Sequence, residues 1–253
     1  MKTKCNLKHI LTTTIAVIAL FNMTLSIASE QTVIALIGDS ITVGYNASYL
    51  TPNGNGTTTH GLPTISLNTL LKNRNTVVSN WGVGGSSSAY GSSNITSFLN
   101  TTTSQHSGDA YYTLIIYGTN DFGHGIGSST TGFNNGQMID KARSAGYEPI
   151  IGTLTPRSDQ LSQIPSTNAQ IISNANAKSA FVVDHYTRFI NEPGGWETLI
   201  DVEISALTGN SIRLHPNDDG YIAIAENWFD SRLKDIIDLE VNIAPIISLL
   251  LDD

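Results

Sequence analysis

Four short polar stretches hold the side chains of this sequence that could do chemistry together. They are Gly38-Asp39-Ser40, Asn80-Trp81-Gly82-Val83-Gly84-Gly85, Gly118-Thr119-Asn120-Asp121 and His215-Pro216-Asn217. A serine hydroxyl becomes a nucleophile when an imidazole can take its proton. The tetrahedral oxyanion that follows needs two or three aimed hydrogen-bond donors. A glycine lets a backbone N–H approach the oxyanion without a Cβ in the way, and an asparagine amide supplies another donor. Read alone, each stretch has an ordinary alternative, because Gly, Asp and Ser also terminate strands and cap helices.

The elements around these stretches decide between the two readings. Val33-Ile34-Ala35-Leu36-Ile37 is apolar and mostly β-branched, the pattern of a strand buried on both faces. Similar segments follow at Thr76–Asn80, Thr113–Tyr117, Pro149–Leu154 and Ala180–Asp184. Spacings of roughly 30 to 45 residues suit right-handed β-α-β units, hence a parallel sheet. Helices are predicted over Ile65–Lys72, Asn94–Thr102, Phe133–Ala145 and Ser166–Ala177. A last one runs from Asn217 to Leu239, capped by Asn217 or Asp218, with Ile222, Ala225, Phe229, Leu233 and Ile236 on its core face. Three of the four polar stretches then stand at carboxyl ends of neighbouring strands, where open α/β sheets place their ligand crevice.

These blocks, in this order and spread over nearly the whole chain after residue 28, resemble the SGNH/GDSL family of serine esterases and lipases. The resemblance implies a three-layer α/β/α, flavodoxin-like fold with a central parallel sheet of about five strands. It implies Ser40 as nucleophile, His215 as general base and no cofactor. The implied oxyanion hole comprises the backbone N–H groups of Ser40 and Gly85, five positions beyond Asn80, with the Asn120 side chain. One departure stands out. The family usually carries Asp three residues before the histidine, and this chain has Ile212 there. The expectation is a Ser–His dyad with a backbone carbonyl orienting His215. Asp201 and Glu203 are the nearby carboxylates that could instead complete a triad, and a degenerate site is the third alternative.

Composition narrows the rest. The 253 residues suit one α/β domain, with no internal repeat or dividing linker. Lys2, Lys4 and Lys8, the apolar run Ile10 to Ile27 and the small residues of Ser26-Ile27-Ala28 read as a cleavable secretory signal over residues 1–28, leaving 29–253 as the hydrolase domain. An uncleaved anchor is the alternative. Removing that leader takes Cys5 and moves the net charge from −8 to −11. A thiol nucleophile, disulfides and a nucleic-acid footprint are thereby excluded for the remainder. The apolar tail Ile243–Leu251 is too short to span a bilayer, so no stable membrane insertion is expected of the mature chain. The Gly82–Ser87 run lacks the third Gly of a dinucleotide fingerprint and the Gly-Lys-Ser/Thr of a P-loop. No Gly-x-Ser-x-Gly elbow occurs. His60, His106, His124 and His185 lack metal-ligand spacing, and Asp184 reads as a turn cap.

The expected activity is hydrolysis of carboxylic esters on a small-molecule or polysaccharide substrate, secreted to the periplasm or outside. A short acyl group such as a carbohydrate O-acetyl fits the polar loops. Lysophospholipase or arylesterase activity, and a catalytically degenerate carbohydrate-binding protein, are the alternatives.

Overall fold

The computed structural model describes residues 31–48, 61–72, 74–205 and 208–239. The expected leader, most of the polar loop after Tyr45 and the tail Ile243–Leu251 lie outside the described residues. The central sheet contains β1 (Thr32–Gly38), β2 (Thr76–Gly82), β3 (Ala110–Ile116), β4 (Glu148–Gly152) and β5 (Phe181–Val183), in the order β2-β1-β3-β4-β5 with every pairing parallel. That order is the flavodoxin-like one, with its switch point beside β1. All of β1 is buried, as an apolar strand covered on both faces must be. The register sets Gly38 level with Gly82 on one side and Ile116 on the other. The chain therefore leaves β1, β2 and β3 at one edge, and the three motifs begin within a few residues of it.

Helices cover both faces. α1 (Ser40–Val43) and α2 (Leu62–Leu70) lie between β1 and β2, and α3 (Ser88–Gln105) leads to β3. α4 (Ser128–Ser144) and α5 (Ile164–Ala177) follow β3 and β4 and pack on each other, with α3 beside α4. α6 (His185–Ile190) follows β5, and α7 (Asp218–Trp228) packs against α2. A π-helical turn, Phe229–Leu233, joins α7 to α8 (Lys234–Leu239).

Two sequence expectations are corrected, and one element was not foreseen. α3 begins six residues before Asn94, where Ser87 caps it by accepting the Tyr90 N–H, and its hydroxyls bond back along the helix: Ser93 to the Ala89 carbonyl, Thr101 to Ser97 and Thr103 to Leu99. Residues that weaken helices by competing for the backbone here spend their hydroxyls within the turn. The last helix is interrupted by the π turn, and Ile222 faces outward while Tyr221, Ile224, Ala225 and Trp228 are buried. The stretch before His215 forms an unforeseen antiparallel hairpin, β6 (Ile200–Ile204) with β7 (Ser211–Pro216).

Candidate active site

Ser40 opens α1 immediately beyond the end of β1. Asp39 is the N-cap, its Oδ1 accepting the Ile41 N–H at 3.0 Å, and Gly44 closes the turn in a left-handed conformation. Gly38 has no substitute, since a Cβ there would lie 1.9 Å from Thr42 Oγ1 and 2.7 Å from the Ile116 carbonyl. Asn80 fastens α1 to β2, donating from Nδ2 to the Thr42 carbonyl at 2.7 Å while its Oδ1 accepts the Gly82 N–H.

Asp39 itself is wholly buried, and its Oδ2 has no protein partner. Burial pushes its carboxyl up to about 6, against the opposing pull of the Ile41 N–H. A raised carboxyl pKa means the folded state holds the proton more tightly, so stability falls as pH rises from about 4 to 6. The shift amounts to about 3 kcal/mol. Asp39→Asn keeps the capping oxygen and removes the charge. We expect urea unfolding to show the variant more stable than wild type at pH 8, with the advantage shrinking toward pH 4. An equal difference at both pH values would show that charge burial is not its source.

The loops after β2 and β3 meet beside Ser40. Gly85 takes φ +74, with open space where a side chain would stand. Asn120 donates from Nδ2 to the Ser86 carbonyl at 3.0 Å, and the amide has a second proton to offer. Buried Asp121 braces this turn, accepting from the Ser88 N–H, the Ser88 hydroxyl and the Thr131 hydroxyl. Arg157 holds it from the other side, donating to the Thr119 carbonyl at 2.6 Å and pairing with Asp159. Arg157 lies between β4 and α5 with no motif around it, so pattern reading does not single it out.

His215 Nε2 lies 2.8 Å from Ser40 Oγ, and its Nδ1 lies 2.8 Å from Glu203 Oε2. Burial raises the Glu203 carboxyl, but the bonds and charge of His215 and the Asn46 amide outweigh it and hold the carboxyl below its ordinary value. An ionised carboxylate only accepts, so Nδ1 carries the ring proton and Nε2 is left to accept from the Ser40 hydroxyl. The expected dyad is therefore corrected, because a side-chain carboxylate takes the place assigned to a backbone carbonyl. Asp201 does not face the ring; its Oδ1 accepts from Asn217 Nδ2. The Tyr45 ring covers His215 at 4.9 Å between centroids.

Comparison with known proteins bears on the family and the fold. The description of the GDSL-like Lipase/Acylhydrolase family matches residues 36–223, most of the chain and all four motifs. The chain belongs to that family. Its fold is also that of solved members. A lipolytic G-D-S-L family protein from Veillonella parvula is 22% identical with a TM-score of 0.58, over 80% of this chain and 100% of the other. The lipase/acylhydrolase from Enterococcus faecalis is 20% identical with a TM-score of 0.60, over 79% and 95%. The psychrotrophic esterase EstA from Pseudoalteromonas sp. is 15% identical with a TM-score of 0.55, over 79% and 95%. No curated protein matches the sequence. Family membership makes the chain a carboxylic-ester hydrolase.

Within the family frame, the departure at Ile212 has a structural answer. Ile212 pairs directly across the hairpin with Glu203. The carboxylate usual on the histidine's own strand thus stands one strand over. Between the Ile200–Pro216 and Val202–Arg213 pairs, β7 carries one residue more than β6, a bulge that includes His215. Bulges re-aim side chains, and this one lets His215 reach Ser40 while Glu203 stays behind it. The remaining described histidines serve other ends. His185 is fully buried beside Trp228, and burial presses its pKa down to about 3, so it stays neutral. His124 Nε2 sits 3.1 Å from the Gly85 carbonyl. Asp184 caps α6, as its sequence setting suggested. No group of three potential metal ligands occurs among the described residues, nor does a helix long and apolar enough to cross a membrane.

Proposed function

We propose that the protein cleaves carboxylic esters of short acyl groups through an acyl-serine intermediate, with Ser40, His215 and Glu203 as nucleophile, base and acid. The observation that carries this reading is the unbroken Ser40–His215–Glu203 chain of 2.8 Å contacts. Ser40 attacks the ester carbonyl as His215 Nε2 takes its proton, and His215 then returns that proton to the departing alcohol. Water repeats the sequence on the acyl-enzyme. Glu203 holds the imidazole tautomer and balances its positive charge. The Ser40 and Gly85 N–H groups and the free Asn120 proton receive the oxyanion. The carboxylate behind His215 speaks against a degenerate binding protein, which needs no such relay.

Polar surroundings favour a small acyl group on a polar alcohol, such as a carbohydrate O-acetyl: Ser86, Asn120 and open space at Gly84 and Gly85. An apolar cavity of about 30 Å³ lies behind α1, lined by Leu36, Ile41, Leu67, Tyr221 and Trp228, and is too small for an acyl chain. Residues 1–28 act as a secretory signal in this reading, and the chain beyond it forms the hydrolase domain. A ladder of p-nitrophenyl esters tests the acyl preference. We expect kcat/KM to be highest for acetate or butyrate and to fall with length; a maximum at octanoate or beyond would favour a lipase.

Asn120→Ala is expected to lower kcat by roughly 10²- to 10³-fold with KM little changed, because the donor acts on the transition state. Steady-state kinetics on p-nitrophenyl acetate gives the split. A change confined to KM would leave Asn120 a binding residue.

A further inference from the structure

Beyond the relay itself, one side chain touches its acid from outside all four motifs. Asn46, two residues past the end of α1's closing turn, donates from Nδ2 to Glu203 Oε2 at 2.7 Å. That oxygen is the one facing His215 Nδ1, and the other, Oε1, accepts the His215 backbone N–H at 3.3 Å. We propose that Asn46 is a positioning residue of the hydrolytic site, holding the Glu203 carboxylate against His215. The inference rests on the Ser40–His215–Glu203 reading above and adds a fourth member supplied by the nucleophile's own loop.

Three observations carry it. Glu203 is a long side chain on a two-stranded hairpin outside the main sheet, partly open to solvent. Such a side chain has rotamers that leave the imidazole, and an added bond to the reactive oxygen selects the one that does not. Asn46 also has φ 66, one of two described non-glycine residues with positive φ. Asparagine tolerates that region better than most residues, and the turn aims its amide at the hairpin. Finally, the loop is anchored independently of the amide. Buried Tyr221 donates its hydroxyl to the Tyr45 carbonyl at 2.7 Å, and the Ser48 N–H donates to Asp218 Oδ1 at 2.8 Å. Both anchors are on α7, so removing the amide leaves the loop in place. The same short segment thus connects the nucleophile, whose carbonyl accepts the Tyr45 N–H at 3.0 Å, to the acid.

The test is a double-mutant cycle in the full chain. Asn46→Gly deletes the amide while favouring the same left-handed backbone. With p-nitrophenyl acetate we expect kcat to fall about tenfold and KM to stay within about twofold, the loss of one charge-assisted hydrogen bond. Placed in a Glu203→Gln background, the same substitution should change kcat less than about twofold, because its target has lost the charge. Asn46→Asp keeps the backbone and replaces the donor with a carboxylate facing Glu203. Like charges raise each other's pKa, so the acidic limb of kcat/KM should move to higher pH. Unchanged kcat in Asn46→Gly, or an equal loss in both backgrounds, overturns the role of Asn46 while leaving the relay standing. A wild-type protein inactive on every ester, or a Glu203→Gln variant at wild-type rate, overturns the relay and Asn46 with it.

Discussion

Ser40→Ala is expected to abolish ester hydrolysis, lowering kcat by roughly 10⁶-fold to the level that the oxyanion donors and substrate binding sustain alone. The fold should survive, because the Ser40 side chain's bond in the structure is to His215 and Asp39 still caps α1. A serine-directed phosphonate should label Ser40 and no other residue, read by peptide mass spectrometry. Ser86 is the informative competitor, since its hydroxyl lies close by but donates to the Val83 carbonyl at 2.6 Å and meets Tyr117 rather than an imidazole. Label on Ser86, or hydrolysis persisting in Ser40→Ala, would remove Ser40 from the nucleophile's place.

Glu203→Gln is the second large effect, and we expect a fall in kcat of roughly 10⁴-fold in a protein that remains folded. The amide is nearly isosteric, so packing changes little. It offers His215 Nδ1 either a neutral oxygen or an N–H, and the second would force the proton to Nε2, where it blocks acceptance from Ser40. KM should hardly move, since Glu203 faces the imidazole. A residual rate within tenfold of wild type would return the site to the dyad that Ile212 suggested.

The fold was legible because its signal is local. β1 is apolar from Val33 to Ile37, and a fully buried parallel strand can look no other way. The carboxyl ends of the first three strands were legible to within two residues, Ile37, Asn80 and Tyr117 being expected where β1, β2 and β3 end at Gly38, Gly82 and Ile116. Glu203 was named among the nearby carboxylates but not chosen, for a physical reason. Twelve residues separate it from His215, and only the antiparallel register with its bulge converts that separation into contact. The hairpin strand alternates apolar and polar residues from Ile200 to Ile204, but Val202 and Ile204 are exposed while the polar Glu203 turns toward the site. Pattern reading assigns the apolar face inward. Asn46 and Arg157 were beyond reach in the same way, each acting on a residue distant in sequence.

His215 and Glu203 share a hairpin that the main sheet does not include, while Ser40 stands just past the end of the most deeply buried strand. The site is therefore divided between two levels of cooperativity. Opening of residues 200–216, a sub-global event requiring far less exposure of apolar surface than melting β1, removes His215 and Glu203 in one step and leaves Ser40 where it was. Mild heat or denaturant is therefore expected to remove both groups while the core remains folded, and reclosing the hairpin to restore them together.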